Sequence, residues 1–225
     1  MEKLLKVKWW KYLGIALLIY TILMGLLGPA PRQHILNETI RNLHFHVPMW
    51  FGMFIVLTFS LVYSVKYLRN PTLLNDTIAS ETANIGILFG ILGLVTGSVW
   101  AKYTWGDWWN GDPKQNVSAI AMLIYLAYIV LRGSVNDVDQ RGKLAAVYNI
   151  FAFCAMIPLI FIVPRLYDSL HPSNGGNEGF VVYDLDNSLR LVFYPAVLGW
   201  TLLGLWMAAI RARMQMLRYR LLNID

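Results

Sequence analysis

Long apolar blocks, separated by short polar stretches, recur six times along the chain, at residues 12–28, 45–65, 82–101, 115–131, 144–164 and 191–210. Each has the roughly 17–25 residues that a helix needs to cross a bilayer. The pattern predicts an all-α membrane protein with six transmembrane helices, a single domain over residues 1–225. A basic end precedes the first block and Gly28-Pro29-Ala30-Pro31 follows it, which imitates a signal peptide. Five further blocks and a poor cleavage site predict an uncleaved anchor instead. Between blocks, Asn70-Pro71 marks a turn, as do the charges and glycines of residues 132–143.

Composition supports this pattern. The chain is 57% hydrophobic and 14% charged, with a mean hydropathy of +0.49, against about 25% charged residues in an average soluble domain. Disorder, a secreted disulfide scaffold and a soluble enzyme are excluded on this ground. A net charge of +6 would ordinarily suggest nucleic acid, but the cations flank the apolar blocks. With the N-terminus inside, only Arg32, Arg41, Lys102, Lys114, Arg165 and Arg190 fall on the outer side, leaving 13 of the 19 Lys and Arg residues inside. The positive-inside rule therefore places both termini in the cytoplasm. Cys154 is the single cysteine and reads, with Met156, as core packing; the chain has no CxxC and no CxxCH, so it offers neither thiol-redox chemistry nor a covalent c-type haem of its own.

This orientation puts His34, His44, His46 and His171 on the outer side, together with Trp50, Trp100, Trp105, Trp108 and Trp109. The densest stretch is WGDWWNGDPK, residues 105–114. Trp105, Trp108 and Trp109 are spaced i, i+3, i+4, which predicts a short interfacial helix in the second outer loop with all three indoles on one face. Gly106 and Gly111 would admit a flat ligand or a neighbouring backbone. The competing reading is an aromatic belt at the membrane edge. Asp112-Pro113-Lys114-Gln115 reads as a helix N-cap, a proline at the first helical position and a glutamine at the third, so capping is the main role expected of Asp112. His46 stands in HFHVP and His171 in SLHP; alone, each reads as a polar residue at the headgroup level or in a loop. Two such histidines flanking a tryptophan platform suit a flat macrocycle whose iron takes imidazole on both faces. His44, two residues from His46, would point elsewhere on a helix, and His34 has no supporting context. The six outer cations include five (Lys102, Lys114, Arg41, Arg165 and Arg190) among which the sequence does not choose a partner for haem propionates.

The WGDWWNGDPK segment resembles the tryptophan-rich signature WGxWWxWD of haem-handling membrane proteins. With HVP at His46, LHP at His171 and six spans in 225 residues, the chain resembles the cytochrome c maturation protein C (haem exporter protein C, CcmC) family. The likeness covers nearly the whole chain in layout. The resemblance implies a protein of the bacterial inner (cytoplasmic) membrane that is not an enzyme. It would bind non-covalent haem b in transit at the periplasmic face and deliver it to a haem chaperone (CcmE) for cytochrome c maturation by system I. An ABC transporter pair (CcmA and CcmB) and a small membrane protein (CcmD) would complete the assembly. Carried onto this sequence, the axial ligands of the haem iron are His46 and His171, and the other cofactor-binding residues are Trp105, Gly106, Trp108, Trp109 and Asp112. The last tryptophan of the signature is Gly111 here. The Asp-Pro-Lys ending also resembles the system II synthetases, which are much longer chains.

Two other classes compete. A di-histidine cytochrome b-type electron-transfer subunit would need its histidines buried inside spans, and none lies mid-span here. A solute transporter usually carries ionisable residues at the bilayer midplane or paired broken helices. An absorption spectrum separates the transporter from the haem protein, since a transporter is colourless.

Overall fold

The computed structural model describes residues 8–30, 37–171 and 187–222. Among these, six α-helices are long and apolar enough to cross a membrane: α1 (Trp9–Leu27), α2 (His46–Arg69), α3 (Leu73–Trp105), α4 (Pro113–Ser134), α5 (Val138–Phe161) and α6 (Asn187–Leu221). Short 3-10 helices cover Asn37–His44, ahead of α2, and Val163–Leu166, after α5. The six-helix expectation holds. His34 lies outside the described residues.

Packing begins with glycine. On α3, Gly86, Gly90, Gly93 and Gly97 recur at steps of four, three and four, so they line one face. On α2, Leu57, Met53, Trp50 and His46 recur at the same steps in the opposite direction. Each of these side chains lies over one of the glycines: Leu57 on Gly86, Met53 (together with Met122 of α4, which is nearer) on Gly90, Trp50 on Gly93 and His46 on Gly97. Lipid tails are as apolar as leucine, so close van der Waals packing over small residues is what drives such helices together. A methyl group added at Gly93 would stand 2.8 Å from the Trp50 ring, and one at Gly97 would stand 2.7 Å from His46 Cε1. The row leaves no slack.

Polar contacts add directionality. The Asn149 amide on α5, fully buried, donates to Ser60 Oγ (2.7 Å) and Ser64 Oγ (2.8 Å) on α2. Ser60 in turn donates to the Ala79 carbonyl on α3 at 2.7 Å. Three helices are thereby stitched in the apolar interior, where an unpaired polar group is costly.

Two expectations need correction. The third span was expected at 82–101, with residues 66–81 in a loop. Instead α3 starts at Leu73, capped by the Thr72 hydroxyl, which accepts from Asn75 N at 3.2 Å. The added turns carry Asp76 and Glu81, both buried. Asp76 accepts from both terminal nitrogens of Arg132 on α4 (2.8 and 2.5 Å), and Glu81 accepts from Arg211 on α6. Hydropathy counts these carboxylates as water-seeking; the arginines make them compatible with a helix interior. At 33 residues, α3 is about 50 Å long, well beyond the roughly 30 Å of hydrocarbon, so it is longer than a single crossing requires. The second correction concerns Cys154, which is exposed on α5 while Met156 is fully buried. Two positions i, i+2 sit on opposite sides of a helix and cannot share its buried face.

Candidate functional site

The alternating helices bring the start of α2, the end of α3, the start of α4 and the segment after α5 to one end of the bundle. His46, Trp100, Trp105, Asp112 and His171 gather there.

The predicted short helix between Trp105 and Asp112 does not form. Trp105 is the last residue of α3, and Gly106 follows at φ 93°, a left-handed conformation that ends the helix. Residues 106–112 are bends and extended chain, with Gly111 at φ 77°. Five residues between that stop and the Asp112-Pro113 start of α4 are too few for a stable helix. The i, i+3, i+4 geometry is therefore lost. Trp105 turns inward, whereas Trp108 and Trp109 are 54% and 45% exposed. The loop is strapped down at both ends: Ser98 Oγ donates to the Trp108 carbonyl (2.8 Å), and Trp109 Nε1 donates to Asn116 Oδ1 (3.0 Å). Gly111 has open space around its Cα, so its left-handed backbone, rather than crowding, is what a tryptophan at that position would meet.

Asp112 caps α4 as expected, accepting from Lys114 N at 2.9 Å. It also does more. Its second oxygen accepts from Ser169 Oγ (2.8 Å) and Leu170 N (2.9 Å), and its first accepts from His171 Nδ1 at 2.8 Å. Burial works against an ionised carboxylate here, but the donors from His171, Ser169 and Leu170 outweigh it and hold the Asp112 carboxyl well below the usual carboxylate range. Burial likewise keeps His171 below the ordinary imidazole value, against the pull of Asp112. The carboxylate can only accept, so Nδ1 of His171 carries the shared proton and Nε2 is the ring nitrogen left to ligate. Its ring packs edge-on against Trp105, with centroids 4.8 Å apart, and lies 6.4 Å from Trp100; the two indoles meet each other at 5.0 Å.

His46 is the first residue of α2 and the last member of the row over the α3 glycines. Its Nδ1 lies 3.1 Å from Thr96 Oγ1, and its ring stands edge-on to Trp50, centroids 6.4 Å apart. His171 and the Lys114 ammonium both bear electrostatically on the His46 imidazole, and Lys114 bears on His171 as well. Other cations at this end of the bundle are engaged with backbone: Arg41 donates to the Gly25 and Gly28 carbonyls that end α1 (3.1 and 2.8 Å), and Lys102 to the Gly106 carbonyl (2.7 Å). His44 ends the first 3-10 helix and packs over Gly25 of α1.

Of the residues singled out in the sequence, His46, His171, Trp105 and Asp112 thus share one site, and Gly106 shapes its rim. Trp108 and Trp109 stand outside it on the exposed loop. Sequence reasoning missed Thr96, Ser169 and Gly97. The first two are ordinary hydroxyl residues with no pattern; the third belonged to a glycine spacing that was visible.

The family model for heme exporter protein C matches residues 2–223. The chain is 28% identical over 204 residues to heme exporter protein C of Bradyrhizobium diazoefficiens, covering 87% of this chain and 74% of that protein. It is 27% identical over 218 residues to the Paracoccus denitrificans protein of the same name, covering 94% and 87%. A shorter stretch of 75 residues is 39% identical to the cytochrome c biogenesis protein CcsA of Prochlorococcus marinus, a third of this chain and 24% of that one. The chain belongs to the heme exporter protein C family.

Proposed function

We propose that this protein binds haem b non-covalently at the periplasmic face of the inner membrane and passes it to a haem chaperone for cytochrome c maturation. The observation that carries this reading is the pair His46 and His171. One stands at the start of α2 and the other in the segment after α5, at one end of the bundle, each with Nδ1 engaged, so that Nε2 is the nitrogen each has left for a ligand. An imidazole above and one below is the ligation a haem iron accepts. Trp105 and Trp100 line the same site and offer apolar aromatic surface to the macrocycle, with Gly106 giving it close approach to the backbone. Trp108 and Trp109, exposed on the loop, extend that surface outward. Lys114, whose charge is felt by both imidazoles, supports a propionate contact on this side.

The names borne by the relatives favour haem export and cytochrome c biogenesis. Partners follow from the same likeness: a chaperone of the CcmE kind, the transporter subunits CcmA and CcmB, and the small protein CcmD. The haem is cargo, so the protein acts as a carrier rather than as an enzyme. The test is the absorption spectrum of the purified full chain. His46→Ala and His171→Ala should each shift the Soret and α bands, and His34→Ala should leave them alone. A wild-type spectrum in both single variants sinks the ligand assignment; a colourless wild-type protein sinks the haem reading.

A further inference from the structure

The two imidazoles are held differently. Thr96 has one hydroxyl proton, and backbone carbonyls on its own helix claim it: Leu92 O at 2.8 Å, with Gly93 O at 3.2 Å. Toward His46, therefore, Thr96 Oγ1 can only accept, and His46 Nδ1 must carry a proton. Thr96 is itself fixed, because Asn42 Nδ2 donates to its carbonyl at 3.3 Å. At the other ring, the acceptor is the ionised Asp112 carboxylate at 2.8 Å, bound in turn by three further donors.

We infer that Thr96 is a positioning residue that fixes His46 as an Nε2 ligand, and that its neutral hydroxyl makes His46 the weaker of two unequal axial imidazoles, the one that releases first. The inference rests on the haem-carrier reading above. Hydrogen bonds to a carboxylate are shorter and stronger than bonds to a hydroxyl, and a carboxylate behind a ligating histidine raises the ring's donor strength. His171 therefore holds iron more firmly than His46. Release is then ordered: the bond from iron to His46 Nε2 breaks, the imidazole leaves neutral with its lone pair, and an incoming ligand takes the vacated face while His171 still holds the other. A carrier with two equal grips has no such sequence.

Two measurements on the full chain in detergent test this. In the haem-free protein labelled with 15N-histidine, the imidazole nitrogen shifts report the tautomer, with His46→Ala assigning the signal. His46 is expected with its proton on Nδ1 in the wild type, shifted toward Nε2 in Thr96→Val and restored in Thr96→Ser. A His46 protonated on Nε2 in the wild type, or an unchanged tautomer in Thr96→Val, overturns the role of Thr96 whatever the haem does. In the reduced haem-loaded protein, carbon monoxide replaces whichever imidazole lets go, and its binding rate follows that release. Loss of the Thr96 hydrogen bond should speed the reaction about fivefold, with Thr96→Ser at the wild-type rate. If Asp112→Asn speeds it and Thr96→Val does not, His171 is the labile ligand and the order is reversed. Failure of the wild type to take up haem removes the carrier reading and the release order with it, while the tautomer result is judged separately.

Discussion

Asp112 holds His171 across 59 positions of sequence, Oδ1 to Nδ1 at 2.8 Å, while the same carboxylate starts α4. One side chain thus ties the beginning of a helix to the segment that carries a candidate ligand. Asn is as good an N-cap as Asp, so Asp112→Asn should keep α4 and lose the charge-assisted bonds to Ser169, Leu170 and His171. Asp112→Ala should lose both, melting lower by an amount that corresponds to about 1 kcal/mol for the cap alone. Thermal unfolding in detergent orders the three proteins; equal melting of the Asn and Ala variants would show that the cap contributes nothing.

A methyl group at position 97 has nowhere to go except into the His46 ring. Gly97→Ala should displace that imidazole and change the haem spectrum in the manner of His46→Ala. Gly133→Ala, on α4 with open space around it, should change nothing. Spectra of the two variants side by side decide the point, and an unaltered Gly97→Ala spectrum would mean that the ring sits elsewhere when haem is bound.

Arg132→Met leaves the Asp76 carboxylate buried without its bidentate partner. Stranding one half of a buried pair costs about 3–5 kcal/mol, so the variant should melt far lower or fail to accumulate. Asp76→Asn combined with Arg132→Met should recover much of the loss. Expression yield and melting temperature of the single and double variants read this directly.

Trp108 and Trp109 are half exposed, so replacing both with alanine should leave stability within about 0.5 kcal/mol. If they extend the haem surface, haem per protein should fall in the double variant. Trp105→Ala removes the indole packed on His171 and should lower occupancy further. Full occupancy in the Trp108→Ala, Trp109→Ala protein would return those two residues to a membrane-edge belt.

The charge distribution predicts sidedness. In a Cys154→Ser background, a cysteine at position 108 should react with an impermeant thiol reagent on intact cells, and one at position 137 should not. The reverse pattern would move the whole site to the cytoplasmic side.

Six spans were legible in the sequence because apolar length alone specifies a crossing helix, and the WGDWWNGDPK segment was conspicuous by composition. What could not be read were contacts between distant positions. Nothing in the local sequence says that Asp76 meets Arg132 or Glu81 meets Arg211, so α3 was started nine residues late. The i, i+3, i+4 spacing of the tryptophans was a helix signal in a place where Gly106 forbids a helix; the glycine counted for more than the period. Asp112 was legible as a cap because capping is local, and its grip on His171 was not, because that bond spans the intervening α4 and α5. Thr96 carried no signal at all.

The glycine row has a mechanical consequence. Where a long side chain sits on a glycine, as Trp50 and His46 do, its place is set by the separation of two helix axes. His46 occupies the terminal seat of such a row, one turn beyond Trp50. Its ring consequently behaves as a gauge of the gap between α2 and α3: widening that gap at this end carries the imidazole with α2 and away from Thr96.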